Sequence, residues 1–285
     1  MKCIGVIPNK LKDANLNITD FIAGWFNNKG STIYASHDVK SQLSSTVIGV
    51  DDNELYEICD NLIVVGGDGT ILGVAGNASD KGIPIVGVNL GRLGFLADIE
   101  PQHLEASLQK LFEEDYEIEE RMMLKATVVS AQGEQSVYYA LNDINITRGN
   151  FSRLVELEIK VNGDLCDIYP ADGIIIASPT GSTAYNLSAG GPIIVPHSNT
   201  YVITPICPHT IHAKSIMVSD KDRVEVKTLE EGNDMALSID GRLEMYVTSE
   251  HSVYVERADK VTKLIKLSQR KFFDILREKM VERRR

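Results

Sequence analysis

Cysteine is scarce in this sequence, and no two cysteines stand close together. The four residues are Cys3, Cys59, Cys166 and Cys207, and none of them forms a Cys-x-x-Cys pair. This distribution argues against a zinc site and against a disulfide framework, because both need cysteines at characteristic spacings. We therefore expect ordinary free thiols, as in cytoplasmic proteins, and we assign no metal-ligating residues from the sequence.

Long apolar runs and an excess of positive charge are missing as well. No stretch approaches the roughly 20 apolar residues of a membrane span, and the N-terminus lacks the apolar core of a signal peptide. The formal net charge of −11 disfavours general binding to nucleic acid or to an acidic membrane. We expect a cytoplasmic protein without either partner, in which local groups meet any anionic substrate.

The stretch NLIVVGGDGT, residues 61–70, places a glycine loop directly after an apolar run. Such an unbroken run is typical of a strand that is buried on both faces of a parallel sheet. Gly66 and Gly67 open the loop, and Thr70 is expected to cap the helix that follows. Free N–H groups and the helix dipole favour an anion there, so Gly66, Gly67 and Thr70 form a candidate phosphate loop.

Asp68 distinguishes this loop from one that only holds phosphate. A carboxylate repels a neighbouring phosphate unless it binds a cation or accepts a proton. No Gly-Lys pair occurs in the chain, which excludes a Walker loop, and Leu72 stands where a dinucleotide fingerprint starting at Gly67 needs glycine. The alternative is an ordinary strand-to-helix turn in which Asp68 is only a turn former.

The pattern of apolar and polar residues changes at about residue 116. Before it, apolar runs alternate with amphipathic segments, which predicts an α/β, doubly wound parallel sheet. After it, segments are short and β-branched, with hairpin signals at 161–164 and at Asp240-Gly241, the latter without any indicated function. We expect an α/β domain at 1–116, joined by a helix at 268–285, and a β-rich, sandwich-like domain at 117–267. The last helix is expected to present one apolar face, made of Phe272, Phe273, Leu276 and Met280.

Two polar stretches interrupt the strand pattern of the β-rich part. Asn142 and Asp143 lie within YYALNDINIT, although both residue types are disfavoured in strands. An amide beside a carboxylate can hold two sugar hydroxyls, while a bulge or strand-end turn is the alternative. Residues 172–192, DGIIIASPTGSTAYNLSAGGP, predict a buried strand, a turn, and a helix capped by Ser182 or Thr183. The many hydroxyl groups of this segment indicate a polar ligand pocket.

Four stretches together resemble the NAD kinase family, whose members phosphorylate NAD to NADP. They follow the order of the family and are GGDGT at 66–70, VNLGRLGFL at 88–96, Asn-Asp at 142–143 and SPTGSTAYNLSAGGP at 178–192. GGDGT alone also resembles loops of diacylglycerol kinases, sphingosine kinases and phosphofructokinases, whereas the last stretch is specific. The resemblance implies an α/β domain and a β-rich NAD-binding domain, a homodimer or homotetramer, and a divalent metal such as Mg²⁺ with ATP, or in some members polyphosphate.

The resemblance also implies roles for single residues. Asp68 corresponds to the catalytic base, and Gly69 lies against NAD. The other matched NAD contacts are Asn142, Asp143, Asp172, Thr183, Ala184, Tyr185 and Ser188. Arg153 and Arg242 fall where the family also contacts its substrate, and Pro170 stands where many members carry a basic residue.

The reaction implied is transfer of the terminal phosphoryl of ATP or polyphosphate to the 2′-hydroxyl of the adenosine ribose of NAD. One alternative is a lipid or sugar kinase with the same loop, although no interfacial apolar surface is evident. Another is a non-catalytic sensor of NAD or NADP. Asp68 argues against the sensor, because a sensor gains nothing from a carboxylate at its phosphate loop.

Overall fold

The computed structural model describes residues 2–91, 94–149, 155–210, 212–230 and 234–282. The chain forms two compact units, one of Met1–Glu120 with Thr262–Arg285 and one of Arg121–Val261. All four cysteines lie in the described ranges and are free. Among the helices described, none is long and apolar enough to cross a membrane.

The first unit is built on a parallel sheet. Its strands are β1 (Cys3–Pro8), β2 (Thr32–Ser36), β3 (Ile48–Val50), β4 (Asn61–Gly66) and β5 (Ile85–Asn89). They lie in the order β5-β4-β1-β2-β3, and every neighbouring pair is parallel. The last strand of the chain, β17 (His251–Lys266), adds Leu264 beside Ile85 of β5 in the same direction. The predicted doubly wound parallel sheet is confirmed.

Helices of the first unit connect and cover these strands. They are α1 (Asn17–Asn28), α2 (His37–Lys40), α3 (Asp52–Ile58), α4 (Asp68–Lys81), α5 (Leu104–Glu113) and α7 (Phe272–Glu282), with 3₁₀ turns at Ala14–Leu16 and Pro101–His103. All six residues of β4 are buried, as expected for a central strand covered on both faces. Parallel strands present their ligands at their carboxyl ends, which places the glycine loop where β4 meets α4.

The second unit is antiparallel and β-rich, as predicted. Its strands are β6 (Glu117–Ser130), which begins in the first unit, β7 (Gln135–Ala140), β8 (Asp143–Arg148), β9 (Val155–Val161), β10 (Asp164–Ala171), β11 (Gly173–Ala177), β12 (Thr200–Ile206), β13 (Ile216–Ser219), β14 (Val224–Thr228), β15 (Met235–Ile239) and β16 (Arg242–Val247). One array has the order β13-β12-β11-β8-β15-β16, and the other has β10-β9-β14-β17, with β6 paired to β17 and β7. Ile144 and Ile146 of the first array share a buried cluster with Leu157, Val224 and Val255 of the second, which gives a sandwich-like core.

Both predicted hairpin turns are confirmed. Asn162 and Gly163 have φ of 54° and 92° between β9 and β10, and Asp240 and Gly241 have φ of 48° and 80° between β15 and β16. Positive φ at both central residues is the type I′ geometry, whose twist matches that of the flanking strands. A short helix, α6 (Tyr185–Ser188), and a 3₁₀ turn at Gly181–Thr183 follow β11.

Candidate active site

The glycine loop closes β4 and opens α4. Gly67 is the N-cap, with φ −160° and ψ −173°, and the helix begins at Asp68. The prediction of Thr70 as the N-cap residue is therefore wrong in its position, because the backbone turns helical two residues before it. Thr70 instead lies inside the first turn, where its Oγ1 accepts the N–H of Gly67 at 3.4 Å. A Cβ atom at Gly66 would overlap Thr70 Oγ1, so the absence of a side chain at Gly66 has a steric reason.

Asp68 projects toward the segment that follows β5. Its Oδ2 accepts the N–H of Phe95 at 2.8 Å, and its Oδ1 accepts those of Leu96 and Ala97, both at 3.2 Å. A Cβ atom at Gly94 would overlap this carboxylate, which explains the glycine there. A carboxylate offers about four lone-pair sites. These three bonds therefore hold Asp68 in one orientation and leave about one site for a proton or a ligand.

Asn9, which the sequence reading did not single out, organises the same loop. Its backbone N–H donates to the carbonyl of Val65 at 2.7 Å, and its Nδ2 donates to Thr70 Oγ1 at 3.2 Å. One side chain thus ties the end of β1 to the first turn of α4. The signal was a lone asparagine after an apolar strand, which is too common to identify a site residue.

In the second unit, the chain breaks between β7 and β8 at Leu141-Asn142, so a strand-end turn accounts for Asn142, while Asp143 is the first residue of β8. Asp240 explains the break. Its carboxylate accepts the N–H groups of Leu141 at 2.9 Å, Asn142 at 2.7 Å and Asp143 at 3.1 Å. The turn at Asp240-Gly241, for which the sequence analysis indicated no function, therefore shapes the backbone of the predicted Asn142-Asp143 pair.

Asp143 is a buried carboxyl, with 4% of its surface exposed. Burial raises its pKa to about 6, with a further increase from the charge of Asp240, while the 2.6 Å bond from Asn145 Nδ2 acts in the opposite direction. Burial also raises the pKa of Asp240, although its three backbone bonds oppose that shift. Among the residues that the structure describes, none forms a hydrogen bond with the buried Oδ1 of Asn145.

The segment after β11 folds against the Asn142 peptide. The N–H of Ser178 donates to the carbonyl of Asn142 at 2.9 Å, and Ser178 Oγ donates to the carbonyl of Leu141 at 2.5 Å. A Cβ atom at Gly181 would overlap the carbonyl oxygen of Asn142. Two stretches that are distant in the chain, both singled out from the sequence, thus form one backbone assembly.

Several hydroxyl groups of this segment form hydrogen bonds with its own backbone. Ser182 Oγ donates to the carbonyl of Pro179 at 2.6 Å and accepts the N–H of Ile194 at 2.9 Å, while Thr183 Oγ1 donates to the carbonyl of Thr180 at 3.2 Å. Neither Ser182 nor Thr183 caps a helix, because α6 begins later, after Ala184 as N-cap. The predicted capping is therefore wrong.

Asn186 is a second residue that the sequence reading missed. It is fully buried, its Nδ2 donates to the carbonyls of Ser182 and Pro192, and its Oδ1 accepts from Thr204 Oγ1 at 2.7 Å. These bonds close the segment on itself. In the printed sequence Asn186 is one more polar residue in a polar stretch, and nothing marks it as buried.

Two side chains of this segment remain open to a ligand. Tyr185 is 43% exposed, and Ser188 is exposed. Partial burial raises the pKa of the Tyr185 hydroxyl, and the charges of Cys207, Asp143 and Asp172 add to the increase.

The remaining positions singled out from the sequence differ in their surroundings. Asp172 Oδ1 pairs with Arg148 Nε at 3.3 Å, a partner that the sequence reading did not name. Arg242 is exposed at the start of β16, and its charge opposes the increase that burial causes in the pKa of the neighbouring Asp240. Arg153 lies outside the described residues. Pro170 lies in β10, where its carbonyl accepts the N–H of His209 at 2.8 Å.

The donor set around the loop fits a metal ion that arrives with a substrate. Within the described ranges, no three His, Cys, Asp or Glu side chains are grouped so as to hold a metal. Magnesium does not need such a group, because it usually keeps several waters and binds one or two carboxylates together with substrate phosphates. Asp68, with about one free lone-pair site, is compatible with that mode.

Comparison with known proteins gives consistent results along the whole chain. A model of the ATP-NAD kinase N-terminal domain matches residues 4–116, and one of the ATP-NAD kinase C-terminal domain matches residues 141–267. The NAD kinase of Caldanaerobacter subterraneus subsp. tengcongensis is 44% identical over 99% of this chain and 100% of its own length. That of Thermoanaerobacter sp. is 42% identical over 99% and 100% of the two chains.

Solved structures agree with the fold. Yeast NADH kinase in complex with NADH superposes with a TM-score of 0.90 over 98% of this chain and 87% of its own, at 22% identity, which bears on the fold alone. An NAD kinase from Archaeoglobus fulgidus in complex with ATP gives a TM-score of 0.74 over 96% and 98% of the two chains, at 25% identity.

Proposed function

Because the chain belongs to the NAD kinase family, we propose that it transfers the terminal phosphoryl of ATP to the 2′-hydroxyl of the adenosine ribose of NAD, with Asp68 as general base. The family makes the protein an enzyme, a phosphotransferase that forms NADP from NAD. The observation that carries the residue assignment is the orientation of Asp68, a half-exposed carboxylate beside the phosphate loop with about one lone-pair site left.

Phosphoryl transfer needs a positioned hydroxyl, an in-line donor and compensation of charge more than covalent chemistry by the protein. Asp68 accepts the proton of the attacking hydroxyl. The free N–H groups at the start of α4 hold donor phosphates in the loop of Gly66, Gly67 and Thr70, and the bond from the Gly67 N–H to the Thr70 hydroxyl keeps the loop in shape. Gly69 is exposed, with open space where a side chain would stand, which supports close approach of NAD.

The second unit supplies the acceptor contacts in this proposal. Asn142 and Asp143 hold ribose hydroxyls, one through its amide and the other through its carboxylate. Tyr185 offers an exposed ring and Ser188 an exposed hydroxyl. The other proposed contacts of the β-rich domain, residues 117–267, are Asp172, Thr183, Ala184, Arg153 and Arg242.

The same proposal includes a divalent cation, a second phosphoryl donor and an oligomeric state. A divalent cation, Mg²⁺ by preference, accompanies ATP and offsets phosphate charge that an acidic chain cannot offset. No protein side chain is assigned to it. Inorganic polyphosphate is a possible second donor, and we expect a cytoplasmic homodimer or homotetramer.

The test is formation of NADP by the purified protein from NAD and Mg²⁺ with either ATP or polyphosphate. NADP is detected with a dehydrogenase that accepts only NADP. The matched control is an NAD analogue that lacks the adenosine 2′-hydroxyl, which must give no phosphorylated product. If NAD binds and no NADP forms with either donor, the protein is a sensor and the proposal is wrong.

A further inference from the structure

Gly67 has a backbone conformation that does not account for the choice of glycine. Its backbone is extended, with φ −160° and ψ −173°, a conformation that any residue adopts. The backbone conformation therefore does not require glycine, and a side chain there would meet the mobile end of a lysine. A Cβ atom at Gly67 would lie 2.8 Å from Nζ of Lys12, and this ammonium group is its nearest neighbour. Lys12 thus extends across the phosphate loop and rests against the Gly67 backbone.

The loop that carries Lys12 is built to hold this position. Asn9 Oδ1 accepts the N–H groups of Leu11 and Lys12 at 3.1 and 3.3 Å, and the N–H of Lys12 also reaches the carbonyl of Asn9 at 3.0 Å. The same Asn9 donates through Nδ2 to Thr70 Oγ1, and Thr70 Oγ1 accepts the N–H of Gly67. One asparagine therefore couples the backbone of Lys12 to the phosphate loop.

The far end of this loop is anchored as well. Asp13 is 3% exposed, and its carboxylate accepts the N–H groups of Ile18 and Thr19 and the Thr19 hydroxyl at 2.6 Å. Lys12 is thus held between Asn9 on one side and a buried cap of α1 on the other. The Lys12 side chain is exposed, but these hydrogen bonds hold the backbone that carries it.

Among the described residues, no carboxylate forms an ion pair with Lys12. The neighbouring Lys10 pairs with Asp38 Oδ2 at 2.6 Å. An unpaired ammonium group beside free N–H groups at a helix start is an arrangement that attracts a multiply charged anion.

We propose that Lys12 binds the phosphates of the ATP donor over Gly67, as a positioning contact that nothing in the glycine motif itself reveals. This inference rests on the proposed function of the loop. The chain has a formal net charge of −11, and the loop carries Asp68, so the glycine loop alone offers only dipoles to a triphosphate. Lys12 adds the full positive charge that the loop lacks.

The experiment compares Lys12→Met with Lys10→Met, a substitution in the same loop that removes an already paired charge. We measure KM for ATP, KM for NAD, and the Kd of a non-hydrolysable ATP analogue and of adenosine. A charge-assisted contact of this kind corresponds to about a 10- to 150-fold change. We expect Lys12→Met to raise the Kd of the ATP analogue and the KM for ATP within that range. The Kd of adenosine and the KM for NAD should not change. Lys10→Met should match the wild type.

A second variant tests the geometry. Gly67→Ala adds the Cβ atom that displaces the Lys12 ammonium, so it should raise KM for ATP. The double variant Lys12→Met/Gly67→Ala should have a KM for ATP only slightly above that of Lys12→Met. If Lys12→Met fails to fold, the comparison of Gly67→Ala with the wild type carries the test. A KM for ATP within twofold of the Lys10→Met value would overturn the role of Lys12. A wild type that forms no NADP would instead overturn the proposed function itself.

Discussion

The carboxylate of Asp240 lies 2.7 Å from the backbone nitrogen of Asn142, a residue 98 positions away in the chain. The same carboxylate also accepts the N–H groups of Leu141 and Asp143. A hairpin turn and a strand end are thereby joined through one half-buried acid. Because Asn142 and Asp143 are proposed ribose contacts, the shape of the NAD site depends on Asp240.

Replacing Asp240 with alanine should impair stability and NAD binding together. It leaves buried N–H groups without an acceptor, each of which costs about 1–3 kcal/mol, so we expect the free energy of unfolding to fall by roughly 2–4 kcal/mol. We also expect KM for NAD to rise about tenfold or more, with KM for ATP nearly constant. Urea titration and steady-state kinetics check both. Asp259→Ala, at an exposed position, is the control, and an unchanged KM for NAD in Asp240→Ala would contradict the positioning role.

Gly181→Ala and Gly76→Ala should have opposite effects. A Cβ atom at Gly181 overlaps the carbonyl of Asn142, while the space around Gly76 in α4 is open. Alanine at Gly76 should stabilise the helix by roughly 0.5–1 kcal/mol. Alanine at Gly181 should destabilise the protein by about 2 kcal/mol or more and weaken NAD binding, because backbone must move. Thermal unfolding of the two variants is the measurement, and equal shifts of the two midpoints would contradict this packing.

Asp143 should make the ligand-free protein less stable as the pH rises from about 4 to 6. Its folded pKa of about 6 lies above the unfolded value, so the folded state holds the proton more tightly and loses that advantage on deprotonation. The full cost, up to about 3 kcal/mol, is present above pH 6. Asp143→Asn should therefore be more stable than the wild type at pH 8, and the difference should close toward pH 4. A difference that does not depend on pH would refute this assignment.

Asp98 should have the opposite effect on the pH dependence of stability, because it stabilises the protein in its charged form. It accepts the N–H groups of Leu267 and Ser268 at 2.7 and 2.8 Å and pairs with Lys266. Burial alone would raise its pKa, but the charge of Lys266 and these hydrogen bonds outweigh burial and lower it. Asp98→Ala should lower the free energy of unfolding at pH 7 by about 3–5 kcal/mol.

Because the folded pKa of Asp98 is depressed, its contribution is complete above the unfolded pKa of about 4 and is lost as the pH falls through the folded value. The gap between wild type and Asp98→Ala should shrink only below about pH 4. Asp115→Ala, at an exposed position, is the control. A gap that already narrows between pH 7 and pH 5 would count against this account.

Features that depend on neighbouring residues were predictable from the sequence. The buried run of β4 and the two type I′ turns follow from local periodicity and from residues that tolerate positive φ. The glycine loop was located for the same reason. Its helix start was misplaced, because the extended Gly67 already serves as N-cap and no side chain marks such a position.

Features set by distant contacts were not predictable. Asp240 contacts a strand end 98 residues away, and Lys12 rests on a glycine that another strand presents. The expected face of the last helix was also partly wrong, because Phe273 is 61% exposed while Ile275 is buried. Adjacent helical residues point about 100° apart, so only Phe272 of the two phenylalanines faces the unit, where it meets the ring of Phe95 at 5.8 Å.

In the proposed reaction, Asp68 is the base that accepts the proton of the NAD 2′-hydroxyl. The most direct measurement is the turnover number of Asp68→Asn with ATP, NAD and Mg²⁺, beside the Kd for NAD and the unfolding midpoint of the same protein. A general base contributes about 100- to 10,000-fold in rate. We predict a loss of that size with NAD binding retained. Turnover close to that of the wild type would contradict the account.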